Sequence, residues 1–287
     1  MRLASTAAEL PERPREGTRA VVMTMGALHE GHLALVRRAN EIAEQVIVTI
    51  FVNPLQFNDP SDLERYPRTL EADCALLEAE GVDAVFAPSV EEMYPGGDPV
   101  VTVSAGRIGD VFEGARRPGH FDGVLTVVLK LLHLTAPDVA LFGAKDAQQV
   151  IAVRAMVRDL AVPVRIEAVP TIRDADGLAL SSRNVHLSSQ DREAALALSR
   201  ALAAAEAAAR NGDPAPDVVR TGMDVLTDAT RASAGVAVDY FAALDPRTAH
   251  EVPADHRGEA VVAVAATVGG TRLIDNKTVL IDLEGRP

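Results

Sequence analysis

A chain of 287 residues, 48% hydrophobic and 24% charged, is long enough for two domains and has the composition of a soluble globular protein. Its net charge of −13 and 3% aromatic content exclude a general nucleic-acid binder, which needs a basic footprint and stacking surfaces. There is no apolar run of membrane-spanning length, no apolar secretory core in the opening residues, and one cysteine, Cys74, so the expected setting is a reducing cytoplasm without membrane contact.

In chain order, "RAVVMTM" (19–25) predicts a buried strand and "GHLALVRRANEIAEQ" (31–45) an amphipathic helix. "VIVTIFVN" (46–53) is a second strand, "TLEADCALLEAEG" (69–81) a helix with a glycine cap, and "DAVFAP" (83–88) a third strand. A loop rich in Gly, Pro and Arg precedes the apolar helix "DGVLTVVLKLLHLTAP" (122–137), the strand "DVALFG" (138–143) and the helix "DAQQVIAVRAMVRDL" (146–160). Strands alternating with helices imply βαβ units, giving an α/β fold with a Rossmann-like, doubly wound parallel sheet over residues 1–171.

The pattern changes near residue 172. The Asp176-Gly177 pair predicts a hairpin, 188–212 an alanine-rich helix, and "VAVDYFAALDP" and "AVVAVAATVGGTRLIDN" strands joined by turns. Residues 172–287 are thus expected to form a second, smaller α+β C-terminal domain.

In a parallel α/β sheet, ligands bind beyond the C-terminal strand ends. There the sequence places Met25, Gly26, His29 and His32, then Asn53, Pro54 and Gln56, then Gly143, Lys145, Asp146 and Gln149, with Ser181, Ser182 and Arg183 on the hairpin. These residues suit an anion: a helix start near Gly31, a lysine, an arginine fork and two hydroxyls. A lone histidine is more often structural than functional, but two flanked by Gly26 and Gly31 at a strand–helix junction favour function. A zinc reading of His29 and His32, with Glu30 between them, is weaker, because the spacing is three rather than four. Alone, Lys145 reads as a solvated charge and "SSRN" as a capped turn. His120 lies in a connection or a lid; His133, His186, His250 and His256 read as structural.

"TMGALHEGH", "IFVNPLQF", "RTLEAD", "HFDGVLTVVLKL", "FGAKDAQQ" and "GLALSSRN" together resemble the pantothenate synthetase (pantoate–β-alanine ligase) family, within the HxGH nucleotidyltransferases. The resemblance covers about residues 20–185, with a weaker echo in "TRLIDN". It implies ATP-dependent condensation of pantoate with β-alanine through a pantoyl adenylate, with Mg²⁺, in a homodimer. It implies that Met25, Gly26, Ala27, Leu28, His29, Glu30, Gly31 and His32 lie along ATP, with His32 as proton donor and His29, Lys145 and Arg183 as the other catalytic groups. Gly143, Ala144, Lys145 and Asp146 would bind the nucleotide, completed by Ile172, Leu180, Ser181, Ser182 and Arg183 on a lid-like small domain. Gln56 and Gln149 would hold pantoate, and Asp73 would approach the metal.

The chain departs from the family pattern at Met23, where proline is usual, at Ala144 and Ala147 in "GAKDAQQ", and at Val185-His186 after "SSRN". The alternatives are an HxGH nucleotidyltransferase with another acceptor, disfavoured by Gln56 and Gln149, and an inactive nucleotide-binding regulator, disfavoured by His29, His32, Lys145 and Arg183.

Overall fold

The computed structural model describes residues 1–233 and 235–282; Ala234 and the tail 283–287, inside the expected second domain, lie outside that description. Contacts group the chain into two compact units, Met1–Gly143 with Ala152–Pro170, and Ala144–Ile151 with Thr171–Pro287.

The first unit is built on a parallel six-stranded sheet of β1 (Arg2–Ala4), β2 (Arg19–Thr24), β3 (Gln45–Ile50), β4 (Ala84–Phe86), β5 (Val139–Gly143) and β6 (Arg165–Val169), in the order β1-β4-β3-β2-β5-β6. After β2 the chain builds outwards through β3 and β4 on one side, and returns to β5 and β6 on the other. The order therefore reverses between β2 and β5, which pair through Ala20–Val139 and Val22–Leu141, and the C-terminal ends of these two strands flank the switch point. Val22, Val48, Val85 and Leu141 are buried on strands covered on both faces, which is why these strands read as continuous apolar runs.

Helices α1 (Glu30–Ile42), α2 (Pro60–Arg65), α3 (Leu70–Ala79), α4 (Val90–Met93), α5 (Phe112–Arg116), α6 (His120–Thr135) and α7 (Ala147–Asp159) connect these strands. Leu35, Val36 and Ala39 of α1 and Leu77 of α3 pack on the sheet, and burying each leucine stabilises by about 1.5–3 kcal/mol. The second unit has α8 (Ser189–Arg210) and α9 (Ala215–Ala232) against an antiparallel sheet of β7 (Val236–Leu244), β8 (Gly258–Val268) and β9 (Thr271–Ile281), ordered β7-β8-β9. Leu198, Ala201, Leu202 and Ala205 of α8 share a core with Val262 and Val264 of β8.

The α/β sheet and the smaller antiparallel C-terminal sheet are the architecture expected from the sequence. Six of these elements were not expected: β1, β6 and α9, and the short helices α2, α4 and α5. The second strand also stops at Ile50 rather than continuing to Asn53, because Pro54 opens a 3-10 turn over Pro54–Gln56 with Asn53 as its cap. The hairpin near 176 is smaller than a strand pair, one bridge between Arg173 and Ala179 closed by the turn of Gly177 N–H to the Asp174 carbonyl at 2.9 Å.

Candidate active site

Beyond the end of β2 the chain makes a turn that normal side chains resist. Gly26 has φ +86° and Ala27 φ +51°, consecutive left-handed conformations that aim neighbouring backbone N–H groups at one point. The Asp73 carboxylate occupies that point. Its Oδ2 accepts from Ala27 N–H at 3.0 Å and from the Thr69 hydroxyl at 3.1 Å, and its Oδ1 accepts from Leu28 N–H at 2.9 Å. Asp73 is only 2% exposed, so its charge is held by these donors rather than by water.

The chain then enters α1 through its two histidines. Gly31 N–H donates to His29 Nδ1 at 3.1 Å, and His29 N–H donates to His32 Nδ1 at 3.3 Å. In each ring Nδ1 is the acceptor, so the neutral imidazole carries its proton on Nε2. The rings lie 4.1 Å apart between centroids at 35°. A Cβ on residue 31 would stand 2.9 Å from His29 Cε1 and 3.0 Å from its Nδ1, which explains a glycine inside the first helical turn. A helix start near Gly31 suits an anion through its backbone N–H groups. Those of Ala27, Leu28, His29 and Gly31 are instead engaged within the turn.

Gln56 is held from three sides. Tyr94 donates its hydroxyl to Asn53 Oδ1 at 2.9 Å, and Asn53 Nδ2 donates to Gln56 Oε1 at 3.1 Å and to the Gly123 carbonyl at 3.1 Å. This chain fixes which end of the Gln56 amide points where, leaving Nε2 to donate to Met25 Sδ at 3.1 Å. Burial, with Asp98 adding repulsion, pushes the Tyr94 phenol well above its ordinary pKa, so it stays a donor. His120, at the start of α6 and 8% exposed, meets the Gln56 carbonyl through Nδ1 at 2.8 Å. It is thus part of the support of Gln56 rather than of a lid or a plain connection. Asn53 and Tyr94 carry this support. Asn53 stood in the sequence as a polar residue before proline, whereas nothing local marked Tyr94.

Among the expected residues of the second unit, Lys145, Ser181 and Arg183 line one pocket with Asn184 and Asp275. Leu180 N–H donates to the Ile172 carbonyl at 2.9 Å, closing the hairpin, and Ser181 Oγ accepts from Arg183 N–H at 3.3 Å. Ser182 and Arg183 are exposed, while Ala144 and Gln149 are half-buried and Asp146 is exposed near the start of α7. The Asp146 carbonyl accepts from Val150 N–H at 3.1 Å. Gly143 ends β5 in the first unit, and Glu30 is exposed and paired with Arg37.

Among the described residues no three His, Cys, Asp or Glu side chains gather as a metal cage. The expected metal contact, Asp73, has both carboxylate oxygens engaged by the turn. No described helix is long and apolar enough to cross a membrane.

The family model for pantoate–β-alanine ligase matches residues 2–278. A pantothenate synthetase of Thermobifida fusca is 56% identical over 92% of this chain and 90% of its own, and one of Streptomyces coelicolor 52% identical over 96% and 94%. The crystal structure of pantothenate synthetase from Thermus thermophilus aligns with a TM-score of 0.87 at 48% identity, covering 96% of this chain and 99% of that one. The pantoate–β-alanine ligase of Francisella tularensis, complexed with β-γ ATP and β-alanine, aligns with a TM-score of 0.74 at 32% identity over 96% and 97%. With nearly its whole length matched, this chain belongs to the pantoate–β-alanine ligase family.

Proposed function

We propose that the chain joins pantoate to β-alanine with the energy of ATP, passing through a pantoyl adenylate and releasing pyrophosphate and AMP. The carboxylate of pantoate attacks the α-phosphorus of ATP and pyrophosphate leaves. The β-alanine amine then attacks the acyl carbon, and AMP leaves as the amide forms. Such chemistry asks a protein for positioning and for donors aimed at developing charge, and it needs no nucleophilic side chain.

The observation that carries this reading is the pair of imidazoles at the start of α1, each turned by a backbone N–H on its Nδ1 so that Nε2 carries the proton. Two imidazole rings side by side, each with Nδ1 already accepting, suit phosphate oxygens whose charge shifts towards the leaving pyrophosphate. In this reading His32 donates to that group, His29 shares the contact, and Met25–His32 lies along the nucleotide. Lys145, Ser181, Ser182 and Arg183 grip phosphate, with Gly143, Ala144, Asp146, Ile172 and Leu180 completing the nucleotide site. Gln56 and Gln149 hold pantoate, Gln56 with its amide orientation set by Asn53. Magnesium would be held by the ATP phosphates and would neutralise their charge, while Asp73 holds the turn that leads into α1. The active form is a homodimer in the cytoplasm.

The test is product analysis. Incubation with ATP, magnesium, pantoate and β-alanine yields AMP and pantothenate in equal amounts, and omitting either organic substrate abolishes the amide product. AMP without a pantoate-derived amide would assign the site to another acceptor.

A further inference from the structure

Asp275 and Asn276 lie next to each other on β9, far in sequence from the nucleotide-binding segments, and each grips a different segment of the pocket that holds Lys145, Ser181 and Arg183. Asp275, 4% exposed, takes Arg173 as a two-point pair: Nη1 donates to Oδ2 at 2.6 Å and Nη2 to Oδ1 at 2.9 Å. Arg173 also donates to the Gly177 carbonyl at 3.2 Å and bridges Ala179 through its backbone. Asp275 therefore fixes the hairpin that runs directly into Ser181 and Arg183.

Asn276 fixes the other side. Its Nδ2 has two protons, and two carbonyls receive them, Ala144 O at 2.9 Å and Lys145 O at 2.7 Å. Both carbonyls precede the hydrogen bonding of α7, which starts with Val150 N–H on Asp146 O. They are acceptors that the helix itself does not use, and the asparagine amide is the group that ties them down. The Asn276 backbone N–H in turn donates to Asp275 Oδ1 at 2.8 Å, so the two grips share one carboxylate.

We infer that Asp275–Asn276 is a positioning pair for catalysis: it holds the Lys145 backbone at a set distance from Ser181 and Arg183, so that an ammonium and a guanidinium close on the same triphosphate. The inference rests on the reading of this pocket as an ATP phosphate grip. Neither side chain is assigned a contact with the nucleotide. Lysine has a flexible four-carbon stem, so its charge is well placed only if its backbone is. The pair supplies that constraint.

The experiment measures the dissociation constant for α,β-methylene-ATP with magnesium on the full chain, as wild type, N276A, K145A and the double variant, with the KM for pantoate and the melting temperature alongside. N276A is expected to bind the analogue about tenfold more weakly, as loss of one to two hydrogen bonds' worth of placement implies, with the KM for pantoate unchanged within about twofold. On the K145A background the same substitution is expected to change binding little, because Lys145 is the group it places. N276D keeps the shape but sets a carboxylate against two carbonyls, and is expected to reproduce the loss. Equal losses with and without Lys145, or a wild-type constant in both Asn276 variants, would overturn the inference while leaving the nucleotide site intact. Failure of the wild type to bind the analogue would overturn the phosphate-grip reading, and the inference with it.

Discussion

The Asp73 carboxylate lies 2.9 Å from the Leu28 N–H and 3.0 Å from the Ala27 N–H, inside a turn whose residues 26 and 27 are both left-handed. A concavity of backbone donors of this kind usually receives a ligand's anion. Here the protein supplies its own, and the strain of a left-handed alanine is offset by hydrogen bonds to a buried charge. The consequence is a rigid entry into α1 and its two histidines.

Asp73→Asn tests that relationship. An amide keeps one acceptor oxygen and turns its NH₂ towards the N–H of Ala27 or Leu28, leaving a buried donor unpaired at a cost of about 1–3 kcal/mol. Urea unfolding is expected to show that loss, with turnover falling in parallel because the histidines lose their foundation. A variant as stable and as active as the wild type would remove Asp73 from the architecture of the turn.

Gly31→Ala separates stability from activity. Alanine is favoured over glycine within a helix by about 1 kcal/mol, but its methyl would lie 2.9 Å from His29 Cε1. The ring is the easier group to move. The melting temperature is expected to hold or rise while turnover drops on the order of 100-fold, the cost of a misplaced donor. Retained turnover would mean that the orientation of His29 does not matter.

Tyr94→Phe removes one hydroxyl from the start of the chain Tyr94–Asn53–Gln56. Asn53 Oδ1 keeps only a long contact from Leu55 N–H at 3.4 Å, and the Gln56 amide is freer to rotate. Steady-state kinetics should give a KM for pantoate raised about fivefold, roughly 1 kcal/mol, with the KM for ATP unchanged. Equal rises in both would assign Tyr94 to general packing.

The Arg38–Glu167 pair ties α1 to β6, with the Arg38 Nε–H donating to Glu167 Oε1 at 2.6 Å. Arg38 first, then Arg165, hold the Glu167 carboxyl below its ordinary pKa. A carboxyl depressed in the folded state contributes stability above its unfolded value, about 4.3, and loses it as pH falls through the lower folded value. The stability difference between wild type and Glu167→Gln should therefore be constant from neutrality to about pH 5 and shrink in more acid solution. A difference independent of pH down to acid unfolding would mean that the pair is not linked to folding.

The parts of the fold legible in sequence were those where local pattern and tertiary need agree. Val21, Val22, Ile47 and Val48 sit on strands buried on both faces, so their apolar runs could be read directly. At β6, an edge strand in which Arg165 and Glu167 point to a charged surface, there is no such run. Strand β1 is three residues long and gains its order from pairing Leu3 with Val85, which no local window contains.

The site divided in the same way. His29 and His32 were conspicuous because glycines flanked them at a strand–helix junction. Tyr94, 41 residues from Asn53, and Asn276, 131 residues from Lys145, act only through the fold. Their side chains serve backbone and amide groups whose need for a partner exists only once the chain has closed.

The measurement closest to the central claim is isotope exchange between labelled pyrophosphate and ATP, with magnesium and without β-alanine. The account predicts exchange that depends strictly on pantoate and is nearly abolished in His32→Ala, although that variant still binds ATP. Exchange without pantoate, or none in a preparation that also fails to form AMP when β-alanine is added, would contradict it.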